Sequence, residues 1–465
     1  MHKVIAAILA VSSLAACVNL APNYRRPDAP IPSAWTQSNT GNTGTANPTD
    51  IDWRTFIIDV RLREVIEITV RNNRDLRIAA LNIERARTQY RIERAALFPS
   101  IGTSASVLRQ RSATNDGSST SPSTQYNIEL GFSNYEIDFF GRVRNLSEAA
   151  LETFFASREN QRSAQISLVA EVAAIWLTLA ADMDRLKLAQ DTLKNQQDAY
   201  ELIHRVYELG GGSGLTVAQA QTTVDAARID VARFTSQVML DRNALNLLAG
   251  TALDQDLLPS TGLETASLLV EMPENMPSEV LQRRPDVLAA EYVLRASNAN
   301  IGAARAAFFP NIFLTVAAGI ISPSLAGLFG GGSGVWSLAP QVTQSIFDGG
   351  RNQAILDATR IQRDINIAAY ERTIQIAFRE VADALAQRST LSEQIGAQQS
   401  LTAATSRIFN LSNALFRTGA ANYLQVLDAQ RSLYAAQQSA ITLRLAEHTN
   451  RITLYKVLGG GWNPA

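Results

Sequence analysis

The phrase Arg94-Ala-Ala-Leu-Phe-Pro-Ser-Ile101 returns almost letter for letter as Arg305-Ala-Ala-Phe-Phe-Pro-Asn-Ile312. The match runs far beyond the phrase. At the same spacing Asp75 meets Asp286 and Ala79 meets Ala290. At a spacing two residues shorter, Tyr207-Glu-Leu-Gly210 meets Phe416-Arg-Thr-Gly419, Leu215 meets Leu424, Ala220-Gln221 meets Ala429-Gln430, and Gly250 meets Gly459. So long a period excludes a solenoid unit. It implies a duplicated domain whose halves, 59–260 and 261–465, are related by pseudo-symmetry.

Each half reads as long helix, strand, loop, strand, very long helix, turn, helix. The first helix, Arg61 to Leu97, is rich in Ala, Arg and Glu and stops where Phe98-Pro99 forces an extended backbone and removes a donor. The pattern then changes to alternation, over about 100–112 and 124–139. Tyr126, Ile128, Leu130 and Phe132 fall on one face, Asn127, Glu129 and Ser133 on the other. A polar loop, Ser112 to Ser123, separates the two strands. The second half repeats the sequence after Pro310, with strands over about 311–321 and 334–347 around a Gly-rich loop. Strands of this length with one apolar face suit an outer-membrane barrel, although an antiparallel sheet of a soluble domain alternates in the same way.

The N-terminus favours the membrane. Residues 1–16 have a cationic start at Lys3, an apolar run from Val4 to Leu9 and small residues before Cys17, the layout of a secretory signal peptide. Leu14-Ala15-Ala16-Cys17 resembles a lipobox, which makes Cys17 the lipidation candidate and 17–58 a lipidated N-terminal extension. Val18 follows, not the Asp associated with inner-membrane retention. Cys17 is the single cysteine, so no internal disulfide forms. A formal net charge of -1 gives no basic footprint, which argues against nucleic acid as a partner. No run of the mature chain reaches about 18 consecutive apolar residues, so a membrane crossing falls to the strands. Four strands cannot close a barrel, and an open edge in lipid leaves unpaired backbone groups; the chain must therefore oligomerise if it spans. Eight strands fill their own interior, and an aqueous passage needs more.

From Arg142 to Leu209 no Pro occurs, and Gly141 and Gly210 bracket the run. At the α-helical rise this is roughly 100 Å of helix. Val172, Trp176, Leu179, Met183, Leu186, Gln190, Leu193, Gln197, Tyr200, His204 and Tyr207 mark a heptad seam, and Leu424, Leu427, Arg431, Tyr434, Gln438, Ile441, Leu445, His448, Ile452 and Tyr455 mark another. The polar occupants suggest helices packed side by side around an aqueous lumen; an antiparallel coiled coil is the alternative. No cofactor, metal site or enzymatic constellation is expected. His204 and His448 stand alone on helices, and the Gly-rich runs at 210–212, 330–332 and 459–461 lack the context of a phosphate loop.

Several segments together resemble one family: LAAC and NLAPNYRRP near the start, LQRRPDVLAAE from Leu281, GAARAAFFP from Gly302, FDGGR from Phe347, LDAQRSL from Leu427 and LGGGW from Leu458. They are similar to the TolC family of outer-membrane efflux proteins, nearest its OprM type, over essentially the whole mature chain. The resemblance implies a mainly α protein with membrane β-structure. In it a homotrimer forms a twelve-stranded barrel, four strands per chain, continued by a periplasmic α-helical barrel and a mixed equatorial belt. It implies an exit duct for drugs and small toxic solutes, working with a periplasmic adaptor and an inner-membrane transporter of the resistance-nodulation-division (RND) class. Ducts for type I protein secretion or metal-ion efflux are the alternatives in that class, and a periplasmic coiled-coil scaffold lipoprotein is the alternative outside it.

By the same resemblance, Leu424 and Asp428 form a periplasmic gate. Their spacing of four puts them on one helix face, where threefold rings of Leu and carboxylate would narrow the pore and disfavour anions. An exposed first-turn acid favoured by the helix dipole is the other reading of Asp428. The aligned pair in the first half is Leu215 and Gln219, so the charge is not duplicated. Arg417 is a candidate tether for the closed gate, with no partner named by the sequence. Gly210, Gly214, Leu215, Gly419, Ala421 and Leu424 mark the tips expected to dock the adaptor. Pro99 and Pro310 mark the helix-to-strand junctions.

Overall fold

The computed structural model describes residues 18–35, 51–111, 122–259, 262–263, 269 and 277–460. The signal segment, Cys17 and residues 112–121 of the polar loop lie outside them. In chain order the helices are α1 (Trp53–Phe56), α2 (Val60–Asn72), α3 (Arg74–Ala95), α4 (Arg142–Glu208), α5 (Gly214–Ala249), α6 (Pro285–Ala306), α7 (Arg351–Arg417) and α8 (Tyr423–Val457). The strands are β1 (Gly102–Gln110), β2 (Ser123–Ile137), β3 (Asn311–Ser322) and β4 (Gly334–Thr343). Helices α4 and α7 are each 67 residues long, so the duplication holds to the residue in its largest element.

The first helix is not continuous from Arg61 to Leu97. It breaks at Asn73, whose ψ of 131° is extended. The Asn73 side chain accepts from the Leu76 N–H at 3.0 Å, capping α3, and donates to the Leu248 carbonyl at 2.9 Å. A buried Asn that competes with the helix for backbone partners ends it as surely as a proline. The aligned residue in the second half is Arg284. Its buried guanidinium reaches Asp286 (2.7 Å), Glu380 (2.9 Å) and the Val457 carbonyl (2.7 Å), and Pro285 opens α6.

The sheet has the order β1-β2-β3-β4, all antiparallel, so the two halves meet at the β2–β3 ladder and β1 and β4 are its outer strands. Strand β4 ends at Thr343 rather than near 347, and β2 at Ile137 rather than 139. The final pair is Asn311 with Thr343, and the residue before Asn311 is Pro310, which has no N–H to extend a ladder. Strand β1 is likewise shorter at both ends than 100–112, because it pairs only from Gly102 to Gln110. A bulge in β2 places Asn134 at φ 53°, where its N–H finds the Thr315 hydroxyl at 3.2 Å. Both helix-to-strand junctions have one form: Phe98 N–H returns to Ala95 O and Phe309 N–H to Ala306 O, each at 3.0 Å, and Pro99 or Pro310 follows.

The compact units do not follow the repeat boundary. One gathers the described part of Met1–Asp28 with Asn82–Arg158 and Ala289–Glu371; the other gathers the described parts of Ala29–Leu81, Glu159–Leu288 and Arg372–Ala465. Each repeat gives its strand hairpin to the first unit and the larger part of its helical hairpin to the second, because like pieces of the two halves bury each other. In the sheet unit, Phe140 stacks on Phe309 at 4.6 Å. There the NLAPNYRRP segment lies as a strap on α6. Arg305 and Asn298 donate to the Leu20 and Pro22 carbonyls (3.0 and 2.7 Å), and Arg26 and Tyr24 bind the buried Glu291. In the helical unit, Phe56 stacks on Tyr455 at 4.3 Å.

Helix α4 contains an 18-residue window of mean hydropathy 1.7, enough by length and composition to cross a membrane, but 67% of it is buried in the protein. Val172, Trp176 and Leu179 of that window are core residues, as the seam predicts. Beyond them the seam is displaced by one position. Ala189, Gln196 and Ile203 are buried, while Met183, Gln190, Gln197 and Tyr207 are exposed. The small Ala189 allows close approach, and Gln196 satisfies its amide oxygen with the Thr223 hydroxyl at 2.9 Å.

Candidate gate and docking tips

The tips of two helical hairpins, both in the second unit, carry the predicted gate and docking residues, and their turns are built alike. Gly210 (φ 80°) ends α4: its N–H reaches Tyr207 O and the Gly211 N–H reaches Val206 O, both at 2.9 Å. Gly419 (φ 78°) ends α7 in the same way, with Gly419 N–H to Phe416 O at 3.0 Å and Ala420 N–H to Leu415 O at 2.9 Å. The 6→1 and inner bonds are those of a Schellman motif, whose left-handed residue is glycine because a Cβ there is strained. Ser213 then caps α5 by accepting from the Thr216 N–H (3.2 Å), and Asn422 caps α8 by accepting from the Gln425 N–H (3.1 Å).

The tips share a core. Ile203, Ala220, Tyr423, Val426 and Leu427 are buried together, with Tyr200, Val217, Phe409 and Phe416 around them. Burial of Val426 and Leu427 turns the opposite face of α8 outward. There Leu424 is 47% exposed and Asp428 is exposed, with Arg431 one turn on at 3.9 Å. Leu215, the counterpart of Leu424, is 69% exposed. Arg417 closes α7, exposed, and has no acidic partner among the described residues. Gly210, Gly214, Leu215 and Gly419 lie exposed at the turns, and Ala421 is half-buried beside Asn422.

Three features escaped the sequence reading. Tyr423 precedes Leu424 and is 5% exposed, its ring tilted on Phe416 at 5.4 Å. Burial pushes its phenol above the usual range, with the neighbouring Thr223 hydroxyl acting the other way. Asp182 and Asp241, 3% and 7% exposed, bring carboxyls together across α4 and α5. Burial, with the Asp182 charge beside it, pushes Asp241 up to about 6, although Gln237 and Arg185 oppose the shift. Arg185 serves Asp182 at 2.5 Å and reaches Thr442 of α8 at 2.9 Å, so the network ties the first hairpin to the second. Third, burial raises Glu291 under the strap, but the hydrogen bonds from Arg26 and Arg295 outweigh it and hold the carboxyl below its ordinary range. Among the described residues no group of His, Cys, Asp and Glu is placed to hold a metal ion.

Internally duplicated helical hairpins joined to a four-stranded sheet open at both edges narrow the choice of family. The model of the outer membrane efflux protein family matches residues 65–251 and 276–460, one match per repeat. The chain is a TolC-family outer-membrane efflux protein. Among its relatives, the toluene efflux pump outer membrane protein TtgC of Pseudomonas putida is 46% identical over 453 residues, covering 96% of this chain and 93% of TtgC. The cation efflux system protein CusC of Escherichia coli is 38% identical over 447 residues, covering 96% of both chains. A crystal structure of a membrane protein from Pseudomonas aeruginosa superimposes with a TM-score of 0.89 at 40% identity, covering 96% of this chain and 98% of that one. Members of the family are conduits, not enzymes, and the absence of a catalytic role in the sequence reading agrees with membership.

Proposed function

We propose that three copies of this chain form the outer-membrane exit duct of a tripartite RND-type efflux system, passing drugs and other small toxic solutes from a periplasmic adaptor and an inner-membrane transporter to the outside. The observation that carries the trimer is the sheet. Four strands with two outer edges need partners in a bilayer, and three chains supply twelve strands, enough for an aqueous passage where eight are not. Membership of the efflux family supports the duct. The higher identity to a toluene pump component than to a cation system component favours apolar cargo over metal ions.

Leu424 and Asp428 are the gate of this reading: an apolar and an acidic residue share the face that α8 turns away from the hairpin core. The turns at Gly210 to Leu215 and Gly419 to Leu424 are its adaptor-docking tips, with Arg417 held free to tether one state. Cys17 is its lipid anchor. Val18, the residue after it, lies against Gly141, just past the end of β2. A purified full-length protein that runs as a heat-modifiable trimer, conducts ions in bilayers and loses incorporated palmitate on Cys17→Ser fits the reading. A monomer without conductance contradicts it. A deletion strain sensitised to organic drugs and toluene supports the cargo; one sensitised only to metal cations supports the CusC-like alternative.

A further inference from the structure

The two hairpins differ sharply at the residue that opens their second helix. Gly214 opens α5, and a Cβ added there meets nothing within 4 Å. The aligned residue opening α8 is Tyr423, whose ring fills the core between the hairpins beside Ile203 and Ala220. Successive residues on a helix point about 100° apart, so a fixed Tyr423 sets the direction of Leu424, and the fourth residue beyond Leu424, Asp428, follows it.

The phenol is also out of balance. The Tyr423 hydroxyl is buried and makes no hydrogen bond of normal geometry among the described residues. Its polar neighbour Thr223 has one proton to give, taken by Gln196 (2.9 Å) or the Ala220 carbonyl (2.7 Å), so it meets the phenol only through a poorly aligned contact. A buried hydroxyl without a well-aligned partner penalises the arrangement that holds it. An arrangement in which α8 shifts enough to give that hydroxyl a partner is relieved of the penalty.

We infer that Tyr423 is the positioning residue of the gate: its ring seats the first turn of α8 against the first hairpin, and its poorly partnered hydroxyl biases that seat towards release. The inference rests on the gate reading of Leu424 and Asp428, but its primary readout does not. That readout is the rate at which a thiol reagent modifies Leu424→Cys in the full-length trimer, after subtraction of any signal from Cys17 in the parent protein.

In that background Tyr423→Ala frees the turn and changes the rate by roughly tenfold, the effect of a modest shift between two seats. Tyr423→Phe keeps the packing and removes the penalty, so modification shifts in the opposite sense from Tyr423→Ala. Single-channel open probability of the same substitutions on native Leu424 follows the same order. A role in packing alone would leave Tyr423→Phe at the parent rate, and that result overturns the inference. So does Tyr423→Ala modified at the parent rate. Should Tyr423→Ala fail to fold, Tyr423→Phe still decides. If labelling behaves as expected while Leu424→Ala with Asp428→Ala leaves conductance unchanged, the gate reading fails and the positioning role stands.

Discussion

The hairpins α4–α5 and α7–α8 have equal first helices, matching Schellman turns and matching caps, yet their interiors are not interchangeable. Where the first hairpin buries Asp241 against Asp182, the second has Asn450, which donates to the Ala384 carbonyl at 2.9 Å. The break before the sheet is made by Asn73 in one repeat and by Arg284 with two carboxylates in the other. Duplication preserved the backbone solution and let the polar interior diverge. That divergence gives a conduit two hairpins able to respond differently to the same condition.

The comparison breaks most visibly at the helix interruptions. Arg284→Ala strips the partner from Asp286 and Glu380 and leaves the Val457 carbonyl unpaired, costing about 3 kcal/mol. Asn73→Ala loses a cap and one buried hydrogen bond, costing about 2 kcal/mol. Denaturant unfolding of the detergent-solubilised protein should rank them in that order; equal losses would mean that the ion pairs add nothing.

Acidity sharpens it next. The folded-state pKa of Asp241, about 6, lies above the ordinary carboxyl value of 3.8, so the folded protein holds a proton that the unfolded chain releases. The stabilising contribution is complete below pH 4 and is lost as pH rises through about 6. Stability measured by thermal unfolding from pH 5 to 7.5 should fall by on the order of 1 kcal/mol for the native protein, a figure reduced for screening. Asp241→Asn should flatten that slope, whereas Asn450→Ala should lower stability without changing it. The smallest effect belongs to the caps. Ser213→Ala and Asn422→Ala should each cost about 1 kcal/mol, and unequal costs would show that the two turns bear different loads.

The sequence could show what local chemistry determines. Pro99 and Pro310 end helices wherever they stand, Gly210 and Gly419 announce turns, and alternation from Tyr126 announces a strand. The end of β4 was not legible, because Thr343 stops where its neighbour runs out of donors. Nor was the break at Asn73, a polar residue in a polar helix whose deciding partner, Leu248, lies far along the chain. The seam of α4 slipped by one residue for the same reason: Gln196 is inside only because Thr223 meets it there. Leu424 and Asp428 are proposed as the gate from resemblance and spacing, while the burial of Tyr423 beside them was not legible, since it depends on the other hairpin.

The central proposal is that the second hairpin carries the gate and the first does not. Single-channel recording of purified full-length protein in planar bilayers tests it most directly, with Leu424→Ala/Asp428→Ala set beside Leu215→Ala/Gln219→Ala. The account predicts a raised, leaky conductance in the first pair and native conductance in the second. Equal conductance in both, or a leak confined to the Leu215 pair, would contradict it.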